Sequence, residues 1–330
     1  MPPLRLQPVF KQRPWGGQRL AKLWVKPNPN TTGWAESWEV VDLGDDQSRV
    51  QGGPFDGCSL HDLVREHSHE LLGRHAGCQQ FPLLFKFLDT AEAMSVQVHP
   101  NDAQAAALVP GQQGKSEAWL ILSAAPNSRL SVGLNSGVDR VTLERHLAAG
   151  TVEQCLHSIP ARVGDVIAVR PGTVHAIGGG IALVEIQQSS DVTFRLFDWN
   201  RRDAHGRSRP LHIEQALQCI DFSLGSVSPL VPRPLNSDGG QSEELVQTQQ
   251  FIWRRHALNG TRFRLPAEDR CRILSLIEGH AQIVSATGRE PLAAGESLLI
   301  AAECDPFEIE PTSGAVLLET LPCYTSHGRG

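Results

Sequence analysis

The sequence predicts a mainly β protein, and three observations lead to this prediction. First, its 330 residues include 30 glycines and 22 prolines, which divide the chain into many short segments. Second, several of these segments alternate apolar and polar residues with the period of two that a β-strand requires, as in 95–99. Third, a chain of this length exceeds what one ordinary core supports, so two β domains are expected, with one large β domain as the alternative.

The first third of the chain supplies the first elements. Residues 34–41 alternate like a strand, and 59–72 carry apolar side chains at helical spacing. Two further strands are predicted at 82–88 and 94–99, joined by a polar turn. Lys86 interrupts the apolar run of the first of these strands. It either snorkels from a sheet edge or points into a site.

The middle of the chain combines strands with a helical insert. The strand that begins near Lys115 places that lysine and Glu117 on one face, so a cation and a carboxylate share a side. Residues 137–158 are predicted as an insert of two short helices that Gly150 separates. Strand patterns resume after this insert and continue to residue 200.

The composition also suggests where the chain divides. Residues 223–249 are rich in Ser, Pro, Gly and Gln and lack periodicity, which is typical of a linker. We therefore expect a first domain at 1–235, which contains the helical insert, and a smaller β domain at 240–330.

A repeated sequence pattern relates the two predicted domains. Gly164 and Gly295 are each followed by an acidic residue and then by an apolar strand. The residue eleven positions after the glycine is His175 in the first copy and Pro306 in the second. If the two copies are structural repeats, the second has lost a metal donor, so the second domain is predicted to be free of metal.

Charge and cysteine usage exclude several classes of function. A net charge of −6, with no basic run longer than two arginines, predicts no binding of nucleic acid or of an anionic membrane. The seven cysteines are odd in number and form no CxxC pair, so neither a disulfide framework nor a thiolate zinc site is expected. The chain shows no signal-peptide pattern and no apolar stretch of ~20 residues, so a cytoplasmic location is expected.

A candidate metal site emerges from polar side chains on three predicted strands. Nitrogen and oxygen donors lie at or near strand ends at Gln97, His99, Glu117 and His175. A single strand histidine is more often a structural residue, but such a set without sulfur suits Zn²⁺ or another first-row divalent ion. Lys115 and Arg195 would place positive charge beside the ion, which favours a phosphorylated or polyhydroxyl substrate.

Four motifs occur along the chain in a fixed order: SVQVHPND (95–102), GKSEAW (114–119), GTVHAI (172–177) and EIQQSSDVTFRLFDW (185–199). Together they resemble the type I mannose-6-phosphate isomerases, also called phosphomannose isomerases, and above all the short bacterial form. Segments 15–17, 36–39 and 82–86 also fit that family. The resemblance therefore covers essentially the whole chain, and the ordered set of motifs is highly specific.

The resemblance implies a fold, a metal and a reaction. The fold is a cupin-type jelly roll that holds one zinc ion, with His99, Glu117 and His175 as ligands. Gln97 is implied either as a fourth ligand or as a residue that hydrogen-bonds to the ligands. The implied reaction interconverts mannose 6-phosphate and fructose 6-phosphate by proton transfer between C1 and C2 through a cis-enediol that zinc stabilises.

The resemblance also implies roles for other residues. Arg195 corresponds to the active-site arginine of the family and could bind the phosphate or the developing oxyanion. The candidates for the general base are Lys115, Glu185 and a zinc-bound water. Ser95 and Lys86 are candidates for contact with the phosphorylated hexose.

Two alternative functions come from other classes of protein. Two histidines and a carboxylate could instead bind Fe(II) in a cupin oxygenase, and the chain could also be a non-catalytic sugar-phosphate-binding protein. The two cations beside the predicted site favour the isomerase over an oxygenase with an apolar substrate. No feature of the sequence predicts an oligomeric state.

Overall fold

The computed structural model describes residues 1–24, 34–202, 205–237, 240–286 and 288–323. Strands dominate these residues, as predicted. The first fifteen strands are β1 Leu4–Gln7, β2 Val9–Gly17, β3 Trp34–Val40, β4 Asp42–Leu43, β5 Asp46–Gln47, β6 Arg49–Val50, β7 Leu83–Thr90, β8 Val96–Val98, β9 Glu117–Ala124, β10 Arg129–Leu134, β11 Leu156–Pro160, β12 Val166–Val169, β13 His175–Ile177, β14 Ile181–Gln188 and β15 Phe194–Phe197.

The later strands and the helices complete the described part of the chain. The strands are β16 Arg233–Leu235, β17 Gly240–Gln247, β18 Phe251–Asn259, β19 Arg272–Glu278, β20 His280–Ser285, β21 Gly288–Ala293, β22 Ser297–Ile300, β23 Phe307–Pro311 and β24 Ser313–Pro322. The helices are α1 Arg19–Leu23, α2 Leu60–Glu66, α3 Ser68–Leu72, α4 Asp102–Leu108, α5 Arg140–Ala149 and α6 Ile213–Cys219. Within the described ranges, no helix is long and apolar enough to cross a membrane.

The first part of the chain forms a sandwich of two sheets. A six-stranded sheet has the order β12-β9-β14-β7-β2-β3, and a five-stranded sheet has the order β11-β10-β13-β8-β15. Apolar side chains such as Trp119, Leu130 and Leu183 fill the space between them. The central strand β14 is buried along its whole length, including its polar residues Glu185, Gln187 and Gln188.

The second part of the chain forms another sandwich. An eight-stranded sheet has the order β16-β17-β18-β24-β19-β22-β1-β6, and β21, β20 and β23 form the sheet opposite. Leu274, Ile283 and Leu317 belong to the core between them. The first strand of the chain joins this second sandwich, because Leu4 of β1 pairs with Leu299 of β22. The domain boundary at 235–240 stays a prediction. β1 precedes that boundary in the sequence but belongs to the eight-stranded sheet of the second sandwich.

A third core packs the two sandwiches together. Phe87 and Val184 contribute to it from the six-stranded sheet, while Trp253 and Ile273 contribute from the eight-stranded sheet. Leu63 of α2 and its helical neighbours belong to the same cluster. Burial of each large apolar side chain contributes about 1.5–3 kcal/mol, so this core holds the two sandwiches in a fixed relation.

Three details of the sequence prediction differ from the structure. Residues 223–249 were predicted as a linker, and this prediction is wrong for 233–235 and 240–247, which form β16 and β17, whereas 223–232 contain no helix or named strand. The predicted insert does contain α5, which ends at Gly150 with a φ of +68°, but its second helix is only a 3₁₀ turn at Val152–Cys155. The strands predicted at 82–88 and 94–99 are present as β7 and β8, but β8 spans only Val96–Val98, and the two strands lie in opposite sheets.

Candidate metal centre and cavity

Three side chains from distant segments converge inside the first sandwich. His99, Glu117 and His175 place one ligand atom each within 4.8 Å of the others. Glu117 begins β9, His175 begins β13, and His99 directly follows β8, so each lies at the end of a strand. All three are 1% exposed. The structure therefore brings together the three predicted ligands in a buried cluster.

Hydrogen bonds fix both imidazoles in the orientation that metal binding requires. The Nδ1 atom of His99 lies 2.9 Å from the Val192 carbonyl oxygen, and Nδ1 of His175 lies 2.9 Å from the Thr173 carbonyl oxygen. A carbonyl oxygen only accepts, so each Nδ1 donates and each Nε2 keeps its lone pair. Both Nε2 atoms lie 3.4 Å from a carboxylate oxygen of Glu117.

The protonation of the cluster also fits a metal ion. Burial and the charge of Lys115 lower the pKa of His99 to about 3, and burial lowers the pKa of His175. Neutral imidazoles are the form that binds metals. Nε2 of His99 is buried without a hydrogen bond to any described residue, as expected for an atom that coordinates an ion. The two histidines and Glu117 match the N/O donor set of a zinc site.

Gln97 lies next to the cluster but turns its amide nitrogen toward it. Its Nε2 is 3.2 Å from Nε2 of His175, and its Oε1 accepts a hydrogen bond from Ser95 Oγ at 3.4 Å. In this orientation Gln97 hydrogen-bonds to a ligand. Rotation of the amide by half a turn would present the oxygen instead, so both predicted roles of Gln97 stay predictions.

Alternating charges continue from the cluster across the sheet. Lys115 Nζ is 2.9 Å from Glu117 Oε2 and 3.7 Å from Glu185 Oε1. Lys86 Nζ is 3.0 Å from Glu185 Oε1 and 3.6 Å from Glu36 Oε2. Each ammonium group thus lies between two carboxylates, and all five residues are buried. Such pairing compensates the cost of removing these charges from water.

The carboxyl groups of this chain of charges differ in acidity. Burial raises the pKa of Glu185, and the nearby charge of Glu117 raises it further, against the opposite effect of Lys86 and Lys115. For Glu117, burial acts in the same direction, but Lys115 and His99 hold its pKa well below the ordinary value. Two neighbouring carboxyl groups with opposite shifts are typical of catalytic sites.

A cavity of about 330 Å³ borders the cluster at Glu117, with arginines among its lining residues. Arg13, Arg195 and Arg209 all line it. Arg195 Nε donates to Ser95 Oγ at 3.2 Å, and no carboxylate of the described residues lies within 4.0 Å of its guanidinium. A guanidinium without an ionic partner, at the wall of a polar cavity, suits an anionic substrate group.

The structure places every predicted site residue at this cavity or its cluster, and it adds others. The predicted residues are Ser95, Lys86, Gln97, His99, Lys115, Glu117, His175, Glu185 and Arg195. The sequence analysis missed Glu36, Arg13 and Arg209. Glu36 could have been identified from the sequence, because it is an acidic residue inside a predicted strand, just as Lys86 is a basic residue inside one. Arg209 had no signal, since it lies outside any predicted element.

Family models match both parts of the chain. The model described as phosphomannose isomerase type I, catalytic domain, matches residues 4–127. The model described as mannose-6-phosphate isomerase, cupin domain, matches residues 241–317. Mannose-6-phosphate isomerase ManA of Bacillus subtilis (strain 168) is 34% identical over 313 residues, which cover 93% of this chain and 96% of that protein. The chain belongs to the type I phosphomannose isomerase family.

Further comparisons agree with this membership. Mannose-6-phosphate isomerase of Streptococcus mutans is 34% identical over 299 residues, covering 90% of this chain and 92% of that protein. The crystal structure of the mannose 6-phosphate isomerase from Bacillus subtilis superposes with a TM-score of 0.89 at 30% identity, covering 97% of this chain and 99% of that one. These findings confirm the predicted family, the mainly β cupin-type fold and the assignment as an isomerase.

Proposed function

We propose that this chain interconverts mannose 6-phosphate and fructose 6-phosphate, with Zn²⁺ held by His99, Glu117 and His175. One observation carries the proposal: a buried His-Glu-His cluster borders a polar cavity with arginines in its wall, in a chain of the phosphomannose isomerase family. This arrangement favours the isomerase over a cupin oxygenase or a non-catalytic sugar-phosphate-binding protein. The cytoplasmic location stays a prediction.

The metal would serve one chemical purpose in this reaction. Bound Zn²⁺ would supply positive charge that stabilises the negative charge developing on the sugar oxygens as a C–H bond next to the carbonyl is broken. The protein prepares for this by fixing both imidazoles through their Nδ1 hydrogen bonds. Lys115 contributes by pairing with Glu117, which keeps that carboxylate ionised.

Glu185 is the general base that we favour for the proton transfer between C1 and C2. Its pKa is raised by burial, which makes it a better proton acceptor than an ordinary carboxylate, and it lines the cavity. Lys86 and Lys115 contact it as ammonium groups, which have no lone pair with which to accept a proton. They would instead orient the Glu185 carboxylate and attract the anionic substrate.

A coupled assay tests the proposed reaction. Purified protein is incubated with mannose 6-phosphate, and fructose 6-phosphate is detected through coupled reduction of a nicotinamide cofactor. We expect turnover that a chelator abolishes and that added Zn²⁺ restores, with about one zinc per chain by mass spectrometry. Oxygen consumption would indicate the oxygenase instead, and tight binding of mannose 6-phosphate without turnover would indicate the binding protein.

The Arg195→Ala variant tests the role of the arginine. Because its guanidinium lacks an ionic partner among the described side chains, we expect it to bind the phosphate or the developing oxyanion. Loss of such a charge-assisted interaction should lower kcat/KM by about 10- to 100-fold, with zinc content unchanged. Arg202→Ala is the matched control, because Arg202 is exposed and its guanidinium donates a hydrogen bond to the carbonyl oxygen of Gly206 on the surface. Equal kinetics in the two variants would remove Arg195 from the site.

A further inference from the structure

The strand that carries Arg195 lies at the edge of its sheet. β15 is the last strand of the five-stranded sheet and pairs only with β8, where Arg195 stands opposite Gln97. In an antiparallel pair, alternate residues direct their N–H and C=O groups away from the partner strand. An edge strand therefore has main-chain groups that no strand satisfies, and Arg195 has two of them.

His212 occupies the place of the missing strand at this position. Its Nδ1 lies 3.2 Å from the main-chain nitrogen of Arg195, and its own main-chain N–H donates to the Arg195 carbonyl oxygen at 2.8 Å. The ring also makes an edge contact with Phe194, with 6.3 Å between the ring centroids. His212 thus closes the sheet edge at Arg195 with one side-chain and one main-chain hydrogen bond.

The position of His212 is itself fixed by helix α6. Its carbonyl oxygen accepts from the N–H of Ala216 at 2.9 Å, so it begins the first turn of that helix. Ala216, Leu217 and Cys219 are buried in the apolar cluster that includes residues of β8 and β15. The helix therefore places the imidazole against β15 independently of the hydrogen bonds to Arg195.

The same segment also holds the Arg195 side chain. Nη1 donates to the carbonyl oxygen of Pro210 at 2.8 Å, while Nε donates to Ser95 Oγ. A main-chain N–H can only donate, so Nδ1 of His212 must carry a lone pair. Burial and the charge of Arg195 lower the pKa of His212, which agrees with a neutral ring.

We propose that His212 is a positioning residue for Arg195, whose neutral imidazole fixes the edge of β15 so that the guanidinium faces the substrate. The proposal rests on the role proposed above for Arg195. A misplacement of about 1 Å at a reacting group costs up to about 100-fold in rate, so loss of this contact should be visible in turnover.

Three substitutions separate the hydrogen bond from the packing of the ring. His212→Asn keeps an acceptor oxygen near the position of Nδ1, whereas His212→Leu and His212→Ala remove the acceptor. We expect kcat to fall by about tenfold or more in the Leu and Ala variants, with KM changing less and zinc content unchanged. The Asn variant should retain most of the activity. His280→Ala is the control for loss of an exposed histidine.

A double-mutant cycle with Arg195→Ala tests whether His212 acts through Arg195. If it does, His212→Leu should add almost nothing to the defect of Arg195→Ala, because the group that it positions is already absent. Additive defects, or full activity of His212→Leu beside an impaired Arg195→Ala, would overturn the proposal. Full activity of Arg195→Ala would instead refute the proposed role of Arg195. If the Ala variant folds poorly in a thermal melt, the comparison of Leu with Asn still decides.

Discussion

Replacing His175 with alanine is expected to abolish binding of the proposed Zn²⁺ and to lower kcat/KM by about 10³-fold or more. The estimate follows from the several kcal/mol of charge stabilisation that a catalytic metal supplies. His175 contributes one of only two imidazoles in the cluster, and its Nδ1 bond to the Thr173 carbonyl holds Nε2 toward Glu117. Without that nitrogen, two donors remain, and the site no longer has the three protein ligands typical of catalytic zinc.

Two measurements make this expectation specific. Metal content by mass spectrometry should fall below about one-tenth of one zinc per chain after dialysis, because loss of a direct ligand should weaken binding by more than the roughly 10- to 100-fold lost with a residue that only hydrogen-bonds to a ligand. Thermal unfolding in the presence of a chelator should give similar midpoints for the variant and the parent protein, because both then lack metal. His280→Ala serves as the control, since its exposed ring lies in the second sandwich. A His175→Ala protein with a full complement of zinc and normal turnover would exclude this residue as a ligand.

The convergence of the candidate metal ligands could be predicted from the sequence for a physical reason. The period of two in a strand places Gln97 and His99 on one face, and both lie beside the same cluster in the structure. Such a pattern involves only neighbouring residues, so it can be recognised without knowledge of the fold. The family motifs then supplied the link between this strand and the distant residues Glu117 and His175.

Other parts of the site depend on pairing that no local pattern shows. Glu36 reaches Lys86 because β3 and β7 are neighbours in the six-stranded sheet, and His212 reaches Arg195 because α6 packs against an edge strand. The failed linker prediction has a similar cause. β16 and β17 include exposed polar residues at a sheet edge, so their composition resembles that of a linker.

The second sandwich repeats one cross-strand ion pair of the first. In the first sandwich, Glu185 pairs across the sheet with Lys86, and in the second, Glu319 pairs with Arg254. On its other side, Glu185 stands opposite Trp119, and Glu319 stands opposite Leu274.

The same strand register also makes Arg272 of the second sandwich equivalent to Glu117 of the first. Glu117 lies two residues before Trp119, and Arg272 lies two residues before Leu274. Both residues begin their strands, β9 and β19. An arginine thus occupies, in the second sandwich, the position of a predicted metal ligand in the first.

Glu319 is the centre of the resulting network. Its Oε1 accepts from Arg272 Nη1 at 2.6 Å, its Oε2 accepts from Arg254 Nη1 at 3.2 Å, and His256 Nε2 lies 3.5 Å away. Glu319 is 0% exposed. Burial acts to raise its pKa, but His256 and Arg272 outweigh that effect and hold the pKa below the ordinary value.

The Glu319→Gln variant is expected to lose about 3–5 kcal/mol of the free energy of unfolding. The substitution preserves the shape of the side chain but leaves the buried charge of Arg272 without a counter-ion, whereas partly exposed Arg254 keeps Glu268 at 4.0 Å. Breaking a buried pair such as Arg272–Glu319 has a cost of this size. Chemical denaturation followed by intrinsic tryptophan fluorescence measures the loss. Zinc content and turnover should stay normal at temperatures where the variant is folded, because Glu319, Arg272 and Arg254 do not line the cavity beside the proposed metal ligands.

Glu310→Gln is the matched control for this prediction. It makes the same substitution in the same sandwich, but Glu310 pairs with Arg289 where water reaches both side chains, so the loss of stability should be far smaller. The pH dependence gives a second test. Because folding lowers the pKa of Glu319, the stabilisation is present above the pKa of the unfolded glutamate and is lost as the pH falls toward the lower, folded value. The Glu319→Gln variant should lack this part of the acid sensitivity. Equal losses in the two variants would show that Arg272 needs no buried carboxylate.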